Sequence, residues 1–414
     1  MKVVIVNTSD IIGGAARAAY RLHKSLLASE INSLMIVQAK SSDDFTVIGP
    51  DTKKQKFQYK LNPYIDSMPV RLYKNRSKAL FSPAWLSLSN VIQKINALQP
   101  DIVHLHWIAS GFIQIEEIAK IKAPIVWSLH DMWPLTGGCH YDENCGSYTN
   151  SCGSCPVLGS KSKNDLSSRV LKRKLKSISQ VENLHIVGMS RWLAECARKS
   201  KLFSSRPVYQ LPNPIDTTVF SPFDKKSARD LLNLPQDKKL ILFGAMGATS
   251  DPRKGFNELS RALMHVDQYN SELIIFGSSK PLMGPLFKQK THYLGQIYDD
   301  VTLRLIYSAA DVMIVPSLQE NLSNTIMESL SCGTPVVAFD IGGNADMIKH
   351  MENGYLAKPF NVEDYAKGID CVLQHDSPKV ISSNARNKVC QFFDSKFVAL
   401  KYIELYQEII NEKK

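Results

Sequence analysis

Glu320 and Glu328 stand eight positions apart in the stretch Glu320-Asn321-Leu322-Ser323-Asn324-Thr325-Ile326-Met327-Glu328. A strand-like run at 311–315 and a Pro316-Ser317 turn come just before it. Asn321 or Ser323 can cap a helix that runs on through Glu328 to Leu330, where Cys332-Gly333 ends it. A helix that begins at the carboxyl edge of a sheet offers unpaired amides to an anion, here those of Leu322 and Ser323. Glu320, ahead of the helix, can reach one part of such a ligand and Glu328 another. Taken alone, the same spacing also fits a solvated surface helix.

Two further clusters carry chemistry. His130 ends a strand-like run and precedes Asp131, which makes it the better catalytic candidate among ten histidines. His104 and His106 flank Leu105 and share one face of a strand, but no third ligand is apparent for a metal. Cys139, Cys145, Cys152 and Cys155 fall within 17 residues, and the last pair forms a Cys-x2-Cys knuckle. Their loop lacks apolar residues for a core, so a structural zinc ion is expected on these four thiols.

The elements that position these residues alternate. Val3 to Asn7 is an apolar run of the kind buried on both faces of a parallel sheet. A turn through Gly13-Gly14 follows, then a helix over about 16–27. Strand-like runs recur at 33–37, 102–106, 124–129 and 185–189, and again at 240–244, 272–276, 311–315 and 335–339. Strands alternating with helices predict an α/β architecture with parallel sheets and ligands beyond their carboxyl ends. The stretch 207–223 holds four prolines and reads as a linker. It divides the chain into a domain at 1–212, carrying a Cys-rich insert at 139–155, and a second at 213–393. A helix at 394–412, in the terminal segment 394–414, is expected to pack back on the first domain. Its apolar positions are Phe397, Leu400, Ile403, Leu405 and Ile409.

The 414 residues are long enough for two or three domains, and 44% hydrophobic residues with 21% charged is ordinary globular composition. No apolar run reaches a membrane span, and the N-terminus is too short in apolar residues for a signal peptide. A cytoplasmic protein is expected, peripheral on the inner membrane. The net charge of +11 is uneven: residues 1–212 hold 28 Lys and Arg against 15 Asp and Glu, and the remainder 22 against 24. The excess suggests an anionic partner for the first half, such as an anionic membrane surface. Lys172, Arg173, Lys174 and Lys176 surround Leu171, Leu175 and Ile178 on a predicted basic amphipathic helix, which reads either as membrane-surface binding or, more ordinarily, as a packed helix with a wet face. The segment 53–78 interleaves eight cations with Phe57, Tyr59, Tyr64 and Tyr73.

Several motifs occur in an order that resembles one family. Asp251-Pro252-Arg253-Lys254-Gly255, the stretch 317–328, Cys332-Gly333-Thr334-Pro335-Val336-Val337, Gly342-Gly343 and Asn353-Gly354-Tyr355 resemble the donor domain of the family-4 retaining glycosyltransferases. Gly13-Gly14 and His130 are similar to that family's first domain. The resemblance covers nearly the whole chain and is densest from 240 to 360. It implies a GT-B fold, two Rossmann-like doubly wound domains facing a cleft. It also implies roles: Glu320 on the donor sugar, Glu328 on the ribose hydroxyls, Arg253 and Lys254 on the diphosphate. Gly13 and Gly14 would let backbone approach the diphosphate, and His130 would lie beside the reacting sugar. One departure is the stretch 244–249, which has no base where many members place an arginine, so weight falls on Arg253 and Lys254. Some bacterial members carry a similar cysteine-rich insert.

The expected activity is therefore hexose transfer from a UDP-, GDP- or ADP-sugar, without a catalytic metal. The expected acceptor is a hydroxyl of a lipid-linked oligosaccharide in capsule, exopolysaccharide or O-antigen synthesis. A nucleotide-sugar 2-epimerase of the same fold is the alternative among enzymes. A basic nucleic-acid-binding protein is the alternative outside them. The acidic balance of the second half and the lack of a zinc-finger helix, RRM or KH pattern oppose the latter.

Overall fold

Runs such as Val3-Val4-Ile5-Val6 can face water on neither side, so each becomes a strand covered on both faces. The computed structural model describes residues 1–244, 247, 251–267, 270–278 and 287–412. The chain divides into two units, Met1–Asn213 with Val398–Lys414, and Pro214–Phe397.

In the first unit, β1 (Lys2–Ser9), β2 (Asn32–Ala39), β3 (Val47–Ile48), β4 (Ile102–Leu105), β5 (Ile125–Leu129), β6 (Leu184–Gly188) and β7 (Val208–Gln210) form one parallel sheet. Its order is β3-β2-β1-β4-β5-β6-β7. In the second unit, β8 (Lys239–Gly244), β9 (Ser271–Phe276), β10 (Thr291–Gly295), β11 (Val312–Val315), β12 (Val336–Phe339) and β13 (Gly354–Ala357) form another. Its order is β10-β9-β8-β11-β12-β13. Each sheet reverses direction of growth beside its first strand, at β1/β4 and at β8/β11. Such switch points open a crevice beyond the carboxyl ends of the strands.

The Pro-rich stretch expected to be pure linker contributes β7, an edge strand paired to β6 through Ile186 and Val208. In the terminal helix, Ser395–Glu412, Ile403, Leu405 and Ile409 are buried as expected, but the other two expected positions are not. Phe397 and Leu400 are 40% and 56% exposed, whereas Val398, Tyr402, Tyr406 and Ile409 join the core around Val3, Ile5, Leu22 and Val126. Two tyrosines can line that core because their hydroxyls find partners there, as described below.

The helix Leu166–Ile178 is a packed helix with a small wet face. Asp165 caps it by accepting from Ser168 N at 3.2 Å. Its inward face is Val170, Leu171, Lys174 and Ile178. Lys174 is fully buried and donates to the carbonyls of Trp133 and Thr136, with its ammonium 4.0 Å from the Trp133 ring centroid. Arg173 is engaged too, in a two-pronged pair with Glu116 at 2.6 and 2.7 Å. Lys172 and Lys176 are the exposed cations of the four.

Candidate active site

In the second unit three segments converge at the carboxyl edge of the sheet. The first is a 3-10 turn, Pro252–Lys254, opened by Asp251, whose carboxylate accepts from Arg253 N at 3.0 Å. The second is the segment from the end of β11 to Glu320, where Leu318 N donates to Arg253 O at 2.8 Å. The third is the turn at Gly342-Gly343. Two glycines make the convergence tight. Gly255 (φ 71°) has no room for a Cβ because of the Pro316 carbonyl, and Gly342 (φ 53°) is blocked in the same way by the Glu320 carbonyl. Backbone packed this closely, in the left-handed region, accepts glycine alone without strain.

Lys254 and Glu320 meet there. Lys254 Nζ lies 2.9 Å from Glu320 Oε2, and both side chains are largely shielded from water. Ser317 Oγ is 3.4 Å from the same oxygen. Arg253 pairs with Asp251 at 2.6 Å. Just beyond, helix Asn324–Ser331 begins at Ser323, whose hydroxyl bonds Thr325 Oγ1 at 2.9 Å rather than capping the helix. Leu322 and Ser323 are buried at its entrance, where first-turn amides lack intrahelical partners. Glu328 lies one helix face away, buried, with Oε2 accepting from Tyr307 O–H at 2.7 Å. The structure thus brings Lys254 and Glu320 into direct contact, Arg253 and Ser323 into flanking positions, and Glu328 into a pair with Tyr307. Of the base-free stretch at 244–249, residues 245, 246, 248 and 249 lie outside the described residues.

In the first unit, Gly13 (φ 106°) precedes helix Gly14–Ala28, and the space around its missing side chain is open. The loop before it is pinned by Asp10, which accepts from the backbone of Ile11, Ser41 and Ser42 at 2.8–3.0 Å. Burial alone would raise the Asp10 pKa, but these hydrogen bonds outweigh it and hold the carboxyl below its usual range.

His130 follows β5, and its Nε2 lies 2.9 Å from His106 Nδ1. Burial depresses His130 to a pKa of about 4 and His104 to about 3, and it pushes His106 well below its ordinary value. All three are neutral at pH 7. The proton positions then follow from burial. Among the described residues His106 Nε2 is buried without a partner. A buried unpaired N–H costs about 1–3 kcal/mol and is rarer than an unpaired acceptor. The proton therefore sits on His106 Nδ1 and is donated to His130 Nε2, which forces the His130 proton onto Nδ1. Beneath this pair, the His104 ring lies against His106, tilted by 36° with centroids 4.2 Å apart. His104 bonds Tyr406 O–H at 2.6 Å and Ser128 Oγ at 2.7 Å. Asp131 accepts from Trp107 Nε1 (2.8 Å), His140 Nδ1 (2.7 Å) and Trp133 N (2.9 Å), which locks the turn after His130. The alternation of His104 and His106 was legible in the sequence. Tyr406, the partner of His104 far along the chain, was not.

The four cysteines on which a zinc ion is expected differ in burial but lie close enough to act on one another electrostatically. Cys139 and Cys155 are buried, Cys152 is half-buried and Cys145 is exposed. Among the described residues no three His, Cys, Asp or Glu are grouped to hold a metal. Burial, and the neighbouring thiols of the cluster, raise the pKa of Cys139, Cys152 and Cys155 in the metal-free chain. Hydrogen bonds also hold the loop: Thr136 O–H to Cys139 O (2.6 Å), Cys155 N to Asp165 (2.9 Å), and the Lys174 contacts.

Residues 12–219 match the family described as Glycosyltransferase Family 4, and residues 237–375 match Glycosyl transferases group 1. The chain belongs to Glycosyltransferase Family 4. An uncharacterised glycosyltransferase of Methanocaldococcus jannaschii is 26% identical over 322 residues, spanning 74% of this chain and 75% of that protein. The N,N'-diacetylbacillosaminyl-diphospho-undecaprenol alpha-1,3-N-acetylgalactosaminyltransferase of Campylobacter jejuni is 28% identical over 183 residues, 43% of this chain and 47% of the relative. Among solved structures, Anabaena HepE in complex with UDP-glucose shares the fold with a TM-score of 0.64 at 16% identity, covering 99% of this chain and 100% of that one. The α/β arrangement is that of GT-B glycosyltransferases.

Proposed function

We propose that this glycosyltransferase is a retaining hexosyltransferase that uses a nucleoside diphosphate sugar and a lipid-linked oligosaccharide acceptor in surface polysaccharide synthesis. The observation that carries the reading is the Lys254–Glu320 contact, at the entrance of a helix and beyond the carboxyl edge of a parallel sheet. A cation, a carboxylate and helix amides in one place match the two halves of such a donor: diphosphate and sugar hydroxyls. HepE, with its bound UDP-glucose, supports the donor class, and the Campylobacter relative, named for a diphospho-undecaprenol acceptor, supports the acceptor class.

In this reading Lys254, Arg253 and the amides of Leu322 and Ser323 receive the charge that builds on the departing diphosphate. Glu320 holds the sugar and Glu328 the ribose, once its pair with Tyr307 is shared. From the first unit, Gly13 and Gly14 are assigned to the diphosphate and the Nδ1–H of His130 to a sugar oxygen. The acceptor hydroxyl forms its bond to the anomeric carbon on the leaving-group face. The bond to the phosphate oxygen breaks with its electron pair, and that oxygen takes the acceptor proton. No protein base is consumed, and the anomeric configuration is kept.

Thermal-shift titration with UDP-, GDP- and ADP-glucose tests the donor, since a ligand at a hundred times its Kd stabilises by about 2.7 kcal/mol. Lys254→Ala lowers transfer by about 10²-fold or more. Absence of any nucleotide-sugar stabilisation, or a normal rate in Lys254→Ala, overturns the reading. A new sugar formed from donor alone would mark an epimerase instead.

A further inference from the structure

The helix Lys53–Ser67 and the 3-10 turn Met68–Leu72 that continues it carry two opposed faces. At about 100° per residue, Tyr59, Asn62 and Asp66 share one side of the helix, while Phe57, Tyr64 and Met68 fall within about 40° of one another on the other. The first side is the anchor. Tyr59, Asn62, Asp66 and Val70 are buried, Asn62 bonds Gln38 at 3.2 Å and Leu88 N at 3.2 Å, and Asp66 accepts from Trp85 N at 3.3 Å. The second side is open. Phe57 is 64% exposed, Tyr64 64%, Met68 55% and Leu72 82%. Lys53, Lys54, Lys56, Lys60 and Arg71 on the same two elements are exposed, as are Lys74, Arg76 and Lys78 just after them. Asp66, the single acidic residue from 53 to 78, is turned inward.

We infer that this face lies in the plane of an anionic lipid surface, with Phe57, Tyr64, Met68 and Leu72 at the headgroup–acyl boundary and the cations on lipid phosphates. An apolar stripe edged by Lys and Arg on a helix held flat is the geometry of an interfacial helix. Tyrosine and long cations are suited to that depth. A nucleic acid would use the cations and the aromatic rings but leave Met68 and Leu72 in water. A second copy of the chain would bring two clusters of like charge together. Among the described residues no helix is long and apolar enough to cross a membrane, so contact of this kind is interfacial. The inference deepens the lipid-linked part of the proposed function, but its test does not depend on catalysis.

The full chain is sedimented with vesicles of phosphatidylcholine alone or mixed with phosphatidylglycerol, at low and physiological salt. Wild type binds the anionic vesicles and not the neutral ones. Replacing Phe57, Tyr64, Met68 and Leu72 together with Ser weakens binding by about 100-fold, as expected for four half-buried apolar groups. Lys53, Lys54, Lys56 and Lys60 changed to Gln cost about fivefold each at low salt. Lys172→Gln with Lys176→Gln leaves binding unchanged. Because all these side chains are exposed, circular dichroism and nucleotide-sugar stabilisation stay as in wild type, which separates loss of docking from loss of fold or donor site. Wild type that ignores anionic vesicles at low salt overturns the inference, as does a Ser variant that binds normally. Tight binding to single-stranded RNA without vesicle binding, or a dimer that the Ser variant dissolves, would assign the face to those partners and overturn it equally.

Discussion

His106 never meets solvent, yet its ring decides which nitrogen of His130 carries the proton. Nitrogen-15 spectra of histidine-labelled protein are expected to show His130 protonated on Nδ1. In His106→Phe the tautomer preference is released, and transfer falls by about tenfold with donor affinity little changed, the loss of one oriented hydrogen bond. Unchanged His130 shifts in that variant would refute the tautomer argument. The same burial sets a pH limit. His23 and His130 are depressed to about 4 and His104 to about 3, chiefly by burial, against 6.5 when unfolded. Between these values the unfolded chain binds more protons, so stability is complete above pH 6.5 and drains away as pH falls toward 4. Melting temperatures measured from pH 8 to 4 should fall across that window, and a flat profile would contradict it. At this scale the sequence revealed the residues with evident chemistry, Glu320 and Lys254. It could not reveal that Glu328 pairs with Tyr307, because the contact depends on how two helices face one another.

Helix Leu166–Ile178 shows what composition hides at the scale of an element. Four cations within five residues look like a wet face, but one of them holds the turn after His130 in place. Lys174→Gln strands two carbonyls, Trp133 and Thr136, and is expected to destabilise the first unit by about 2–4 kcal/mol, whereas Lys172→Gln costs almost nothing. Urea melts of the two variants provide the comparison. A long, doubly covered strand such as β1 was legible because nothing else suits the uninterrupted run Val3-Val4-Ile5-Val6. The short edges β3, β7 and β10 carry too few core residues to leave such a pattern. Part of the terminal helix's buried face was missed for a related reason. Tyr402 and Tyr406 count as polar until His104 and Ser128 supply partners for their hydroxyls.

At the scale of the molecule, the last helix belongs to the first unit. Deleting residues 398–414 strips Val398, Tyr402, Tyr406 and Ile409 from the core of β1 and β5 and removes the hydroxyl on His104. The first unit of that variant should lose its cooperative melt, while the second, 214–397, keeps its own. Two-transition calorimetry would report the difference, and an unchanged first transition would argue against the assignment. The arrangement has a consequence for synthesis. About 185 residues of the second unit are translated before the chain segment that closes the first one emerges. At about 5–20 residues per second, the nascent sheet waits roughly 10–40 s with an apolar groove open. That interval is long enough for a chaperone to occupy the groove. The yield of active protein in a cell should therefore respond to chaperone supply more strongly than its equilibrium stability alone would suggest.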